Sequence, residues 1–88
     1  MDNKKKKIKD LYDVILSLEN EQECADFFAD LCTDKEIEKM ADRVCAAKLL
    51  LAGDTYSEVI KKTDISSATL SRVSRCVQYG KGYNKKLK

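Results

Sequence analysis

The chain has 88 residues, which is enough for one small domain whose own apolar core is marginal. Of these residues 43% are hydrophobic and 36% are charged, with three glycines and no proline, and this profile favours helices over sheets. The longest apolar runs are too short to cross a membrane, and the charged N-terminus lacks the apolar block of a secretory signal. We therefore expect one cytoplasmic domain, residues 1–88, with no membrane partner.

The sequence has no histidine, and its four cysteines lack the short spacings of a zinc site: Cys24, Cys32, Cys45 and Cys76. We expect no cofactor. A disulfide framework is an alternative, but nothing else is typical of a secreted protein, so reduced and mostly buried thiols are predicted. Without histidine, a glycine-rich phosphate loop or a metal-ligand cluster, the chain is not predicted to be an enzyme.

The net charge of +2 hides an asymmetry between the two halves of the chain. Residues 1–47 carry 8 Lys/Arg and 12 Asp/Glu, whereas residues 48–88 carry 9 Lys/Arg and 3 Asp/Glu. No acidic residue follows Asp64. A basic C-terminal half indicates a polyanionic partner, most simply nucleic acid, although a solvated tail explains residues 81–88 equally well.

Helical spacing of apolar residues predicts three helices in residues 5–53. The first spans about 5–18 and the second is capped by Asn20 with Glu23. The third begins after Thr33 and ends before Gly53, which accepts the left-handed conformation cheaply. The first helix is apolar on more than one side and therefore needs more than one neighbour, so residues 5–53 are predicted to form a helical dimerisation region.

A helix-turn-helix is predicted over residues 54–80. Thr55 with Glu58 opens a helix at about 56–62, with two residues facing inward: Val59 and Ile60. The turn at 63–65 places Asp64 where positive φ is needed and Ile65 as an apolar plug. Ser66 caps the last helix, which runs to about Tyr79 and turns three residues inward: Leu70, Val73 and Val77. Gly80 stops this helix, and residues 81–88 are predicted to be a flexible basic tail.

The exposed start of the last helix is small, polar or cationic, as a helix that enters the major groove requires. The predicted groove contacts are Ser66, Ser67, Ala68, Thr69, Ser71 and Arg72. The predicted phosphate contacts, which position the protein without reading sequence, are Lys61, Lys62 and Arg75. Any single hydroxyl could equally be a cap or a solvated side chain. The assembled pattern and the charge favour double-stranded DNA as the partner.

Two pairs of phrases resemble a known family. The sequence SATLSR at 67–72, preceded by AGDTY at 52–56, resembles the Trp-repressor superfamily, and LYDVI at 11–15 with FFADLCT at 27–33 resembles its YerC/YecD-type branch. The resemblance covers about residues 8–83. It implies a bacterial, all-α, five- to six-helix Trp-repressor-like fold with a C-terminal helix-turn-helix. It also implies an intertwined homodimer whose two heads face successive major grooves.

The same resemblance implies a corepressor pocket. Four residues match the pocket of the family: Thr33, Arg43, Thr69 and Arg72. Val73 replaces the pocket glycine and Cys76 replaces the pocket serine, so a branched side chain stands where an indole ring needs space. The resemblance therefore implies a vestigial pocket without tryptophan binding and leaves any small-molecule effector unknown. Two further departures, Ile60 and Asp64, affect the angle between the last two helices.

These observations lead to two functional hypotheses. The first is a sequence-specific transcriptional regulator, most simply a repressor, that binds a pseudo-palindromic operator as a homodimer. The second is a helical protein-interaction module that has lost sequence-specific DNA binding, because a fold does not by itself determine a function.

Overall fold

The computed structural model describes residues 2–88, and these residues contain six α-helices and no strand. The helices are α1 (Asn3–Ser17), α2 (Glu21–Leu31), α3 (Asp34–Leu51), α4 (Tyr56–Lys62), α5 (Ser67–Tyr79) and α6 (Gly82–Lys86). The prediction of an all-α chain is confirmed. The chain divides into two compact units, with residues 2–34 in the first and 35–88 in the second. Within 2–88, no helix has the length and apolarity that crossing a membrane requires.

Side-chain caps set the helix starts in residues 2–34. The Asp2 carboxylate accepts from the backbone N–H of Lys4 at 2.9 Å, so α1 begins two residues before the predicted position. The Asn20 side chain accepts from the N–H of Glu23, as predicted. The Glu23 carboxylate accepts from the N–H of Glu19 at 2.9 Å, one residue before the expected partner. These caps satisfy N–H groups that have no partner within a helix.

Neither α1 nor α2 has a buried residue. Phe27 and Phe28 pack edge to face, with ring centroids 5.4 Å apart, and are half-buried. Five large apolar side chains of this unit are exposed: Ile8, Tyr12, Val14, Leu16 and Leu31. Residues 2–34 therefore present apolar surface that this chain does not cover.

The end of α3 depends on Gly53. Its φ of +102° is a left-handed conformation that favours glycine. The N–H of Gly53 donates to the carbonyl of Leu50 at 3.1 Å, and that of Asp54 donates to Leu49 at 3.0 Å. This pair of hydrogen bonds is the Schellman motif, which satisfies two carbonyls at the helix end. The predicted role of Gly53 as the stop of the third helix is confirmed.

The apolar core lies within residues 35–88 and joins α3, α4 and α5. Its buried members are Ala46, Ala47, Val59, Ile65, Leu70 and Val73. Half-buried residues pack against it: Leu49, Leu50, Val77, Tyr83 and Leu87. The inward positions predicted for Val59, Leu70 and Val73 are confirmed, as is the apolar plug at Ile65. Ala46 and Ala47 have no exposed surface, so the last third of α3 is the part that faces the core.

The segment between α4 and α5 differs from the prediction in two ways. Ile60 was predicted to face inward, but it is 42% exposed, because Val59 alone takes the buried position on this short helix. Asp64 was predicted to adopt a positive φ, but no residue other than glycine does so within 2–88. The turn depends instead on the Thr63 hydroxyl, which donates to the carbonyl of Val59 at 2.8 Å and accepts from the N–H of Ile65 at 3.4 Å.

The segment 81–88 is not the flexible tail that was predicted, because it contains α6. Tyr83 and Leu87 pack against the core, and the Asn84 amide donates to the carbonyls of Val77 at 2.5 Å and Gly80 at 3.1 Å. The Asn84 side chain therefore satisfies two carbonyl groups at the C-terminal end of α5. The lysines at both ends of the segment led to the prediction of a solvated tail, although Tyr83, Asn84 and Leu87 make contacts with the rest of the unit.

Gly80 ends α5 by a mechanism that differs from that of Gly53. Its φ is −80°, so no left-handed conformation is required. A Cβ atom at this position would lie 2.6 Å from the carbonyl oxygen of Cys76, too close for any side chain. Glycine thus permits the tight approach of residue 80 to the last turn of α5.

All four cysteines are free thiols, but the prediction that they are mostly buried is wrong. Cys45 is exposed, and the other three are half-buried: Cys24, Cys32 and Cys76.

Candidate nucleic-acid interface

The N-terminus of α5 is organised by its own hydroxyl groups. The Ser66 hydroxyl oxygen accepts from the backbone N–H of Thr69 at 3.2 Å, which is the predicted cap. The Ser66 hydroxyl also lies 3.0 Å from the Thr69 hydroxyl oxygen and donates to it. Ser66, Ser67 and Ala68 are exposed, whereas Thr69 is half-buried. The capping and groove-contact interpretations therefore coincide at Ser66, and Thr69 is partly withdrawn.

The two faces of α5 differ in burial and in chemistry. Leu70, Val73 and Ser74 are buried on the inner face. The outward stripe of α5 consists of residues spaced i, i+3, i+4 and i+7, all of them exposed: Ala68, Ser71, Arg72 and Arg75. It combines a small side chain, a hydroxyl and two guanidinium groups, and it contains no acidic residue. The core thus fixes which side of α5 is presented to solvent.

The guanidinium groups of the stripe are available for an anionic partner. Neither Arg72 nor Arg75 forms an ion pair within the part of the chain that the structure describes. An unpaired arginine can bind a phosphate, or a guanine edge, with two parallel hydrogen bonds. The stripe therefore carries two fixed positive charges at spacing i, i+3 on one helix face.

The two predicted phosphate contacts on α4 differ from each other. Lys61 is exposed and forms no ion pair with any residue in 2–88. Lys62 is also exposed, but its Nζ lies 2.8 Å from Oδ2 of Asp54 and donates to it. This hydrogen bond and the charge of Asp54 raise the pKa of Lys62 above its ordinary value. The structure thus separates two adjacent lysines that the sequence treats as equivalent.

A surface pocket of about 240 Å³ opens beside the start of α5. It is lined by residues of α3, of the α4–α5 connection and of α5: Lys39, Asp42, Arg43, Asp64, Ile65, Ser66 and Thr69. Two basic and two acidic side chains border one apolar side chain and two hydroxyls. Two residues of the predicted corepressor pocket, Arg43 and Thr69, therefore share a cavity.

The other residues of the predicted corepressor pocket lie outside that cavity lining. Val73 is 2% exposed and belongs to the core, and Cys76 is half-buried on α5. Arg72 is exposed on the outward stripe. Thr33 lies in the first unit, between α2 and α3, and is exposed.

Sequence reasoning missed two charged residues of α3, Lys39 and Asp42, and the buried Ser74. Lys39, Asp42 and Arg43 recur at i, i+3 and i+4, which places them on one helix face, and this spacing was the available signal. Ser74 is 8% exposed although it is polar. It shares helical spacing with Leu70, Val73 and Val77, and this spacing was the signal that separates it from Ser71 on the outward stripe.

Three comparisons with known proteins each find a match over most of this chain. The family model described as Trp repressor protein matches residues 6–88 of the chain. The chain is 45% identical over 75 residues to the uncharacterized protein YerC of Bacillus subtilis (strain 168), an alignment that covers 85% of this chain and 72% of YerC.

Two crystal structures are similar to this chain in fold and in sequence. A protein from Staphylococcus aureus that is described provisionally as a Trp repressor superimposes with a TM-score of 0.87 at 42% identity, covering 91% of this chain and 81% of that one. A TrpR-like protein from Eubacterium eligens ATCC 27750 superimposes with a TM-score of 0.87 at 41% identity, covering 91% of this chain and 84% of that one.

Proposed function

The chain belongs to the Trp repressor protein family, and we propose that it is a sequence-specific DNA-binding regulator that acts as a repressor. The outward stripe of α5 carries this proposal. In a helix-turn-helix made of α4 and α5, this stripe and the exposed start of α5 face the major groove. Ala68 allows close approach, Ser71 and Arg72 contact base edges, and Arg75 and Lys61 contact phosphates.

The operator is a pseudo-palindrome bound by a homodimer. Residues 2–34 support the dimer, because α1 and α2 carry exposed apolar side chains and no buried residue. Contact with a second copy removes this surface from water, as in many small helical proteins whose cores are insufficient alone. The resemblance implies that the N-terminal helices interlock, and a dimer that reads two half-sites one turn of DNA apart would present its two α5 helices about 34–36 Å apart.

Tryptophan is not the effector in this proposal. The resemblance places an indole ring beside position 73, and the Val73 side chain belongs to the apolar core. Adding a ring there requires the core to open. Inserting even a few extra carbon atoms into a well-packed core typically costs about 1–3 kcal/mol. We expect calorimetry to detect no stoichiometric binding of free tryptophan. Stoichiometric binding in the micromolar range would contradict this expectation.

Selection from a randomised duplex library, followed by fluorescence anisotropy on the selected duplex and on a scrambled duplex, tests DNA recognition. We expect the full chain to bind the selected duplex more tightly, with affinity that falls steeply as salt rises. Arg72→Ala should weaken binding to the selected duplex by about 1–3 kcal/mol and relax its sequence preference. Lys61→Ala should weaken both duplexes alike.

The comparison of these two variants is the control, because each removes one cation from the same head. If Arg72→Ala weakens both duplexes equally, Arg72 is not a base contact. If the wild-type chain binds no duplex at low salt, DNA regulation fails as the function. A helical module for protein interactions would then be the remaining candidate, since its basic C-terminal half suits an acidic protein surface.

A further inference from the structure

The ion pair between Asp54 and Lys62 joins the two ends of the α4 segment. Asp54 follows the glycine that ends α3, and Lys62 is the last residue of α4, eight positions later. Their side chains are unequally exposed, at 19% for Asp54 and 54% for Lys62. The carboxylate is therefore largely enclosed, whereas the ammonium group remains within reach of solvent.

Hydrogen bonds on both sides of Asp54 hold its backbone in place. The N–H of Asp54 donates to the carbonyl of Leu49, which holds residue 54 against the end of α3. The next residue, Thr55, begins a capping box. The Thr55 hydroxyl accepts from the N–H of Glu58, and the Glu58 carboxylate accepts from the N–H of Thr55. The charge of Glu58 also raises the pKa of Lys62, so two carboxylates favour its protonated form.

We infer that Asp54 withholds Lys62 from DNA phosphates, so that Lys62 positions α4 while Lys61 makes the phosphate contact. This inference rests on the proposed function. The Lys62 ammonium group has three N–H donors, and one of them is used on Asp54. A phosphate that accepted from the other two would lie beside the Asp54 carboxylate, and the two negative charges would repel each other. The charge of Lys62 is already offset by Asp54, so a phosphate gains little from binding it. Lys61 has no such partner within 2–88.

The salt dependence of binding to a non-specific duplex distinguishes the two lysines, because each phosphate contact makes the negative slope of log K against log salt steeper by about 0.9. We expect Lys61→Ala to reduce the magnitude of the slope by about one and Lys62→Ala to leave it unchanged. Asp54→Asn removes the competing charge at constant shape and should increase the magnitude of the slope by about one. Adding Lys62→Ala to Asp54→Asn should return the slope to the wild-type value.

A second readout separates positioning from simple stability. Lys62→Ala should weaken binding to the selected duplex without changing the slope, and Lys62→Arg, which retains a cation, should restore the affinity. Circular dichroism confirms that each variant is folded at the temperature of measurement. An equal decrease in the magnitude of the salt slope in Lys61→Ala and Lys62→Ala would overturn the inference. An unchanged salt slope in Asp54→Asn would also overturn it.

Failure of the proposed function gives a different result. If the wild-type chain binds no duplex, the phosphate role of Lys61 and the proposed function are both overturned. The ion pair itself is measured without DNA, by NMR titration of the Lys62 side chain in the full chain. We expect Asp54→Asn to lower the pKa of Lys62 towards its ordinary value, and an unchanged pKa would overturn the pairing.

Discussion

The two units of the chain use the same kind of secondary structure with opposite results. Residues 35–88 bury six apolar side chains in one core, whereas neither α1 nor α2 buries a single residue. Both units have good helix caps and apolar stripes at helical spacing. Local signals therefore explain why both form helices, but they do not explain where each apolar face is buried.

The difference indicates where the free energy of each unit originates. Isolated short helices are marginal in water, and packing of an apolar face supplies most of their stability. Residues 35–88 obtain this packing within one chain. For residues 2–34 we propose that a second copy supplies it, so the stability of the first unit should depend on protein concentration and that of the second should depend on it less.

The largest effect is expected in the core of residues 35–88. Leu70 is completely buried, and truncation to Ala leaves a cavity among Val59, Ile65 and Val73. Leu70→Ala should lower the free energy of unfolding by about 2–5 kcal/mol, measured by urea denaturation. Tyr79→Ala is the matched control, since this side chain lies on the same helix but is 81% exposed, and it should change stability by less than about 0.5 kcal/mol. Equal losses would contradict the assignment of the core.

An intermediate effect is expected at the exposed apolar surface of α1. Leu16 is 82% exposed, and Leu16→Lys places a charge where the proposed dimer needs an apolar contact. We expect the dissociation constant of the dimer to rise at least about tenfold, or 1.4 kcal/mol, measured by sedimentation equilibrium. Ser17→Lys is the control, because it adds the same charge one residue away, at an exposed polar position. Unchanged association of Leu16→Lys would mean that another surface forms the dimer.

The fold features that could be predicted from sequence are those that local chemistry determines. A hydroxyl or amide side chain directly before an apolar helical stripe predicts a cap, because its oxygen can accept from the free N–H groups of the first turn. The caps predicted at Asn20, Thr55 and Ser66 are confirmed. Gly53 is confirmed for the same reason, since a left-handed residue after an apolar helix end depends only on its neighbours. The inward positions of Leu70 and Val73 followed from helical periodicity.

The features that could not be predicted have two causes: some depend on contacts between residues outside helical spacing, and one depends on a side-chain hydrogen bond that replaces a backbone conformation. Asp54 and Lys62 are eight positions apart, so no local rule pairs them. Thr63 takes the role in the turn that sequence reasoning gave to Asp64, because a side-chain hydrogen bond replaces the strained backbone. In the candidate interface, residue types and exposure on α5 were predictable, but the difference between the two lysines of α4 required the position of a distant carboxylate.

The smallest effect is expected at Asn84, and it tests whether the hydrogen bonds between α6 and the end of α5 stabilise residues 35–88. Asn84→Ala removes the donor to the carbonyls of Val77 and Gly80, so the free energy of unfolding should fall by about 1 kcal/mol. Asn84→Asp should cost at least as much, since an ionised carboxylate only accepts hydrogen bonds and would face two carbonyl oxygens. Lys85→Ala is the control, because this neighbouring side chain is exposed. Equal stability of the Asn84 and Lys85 variants would mean that these two hydrogen bonds do not stabilise the fold, and α6 would then be held only by the packing of Tyr83 and Leu87 against the core.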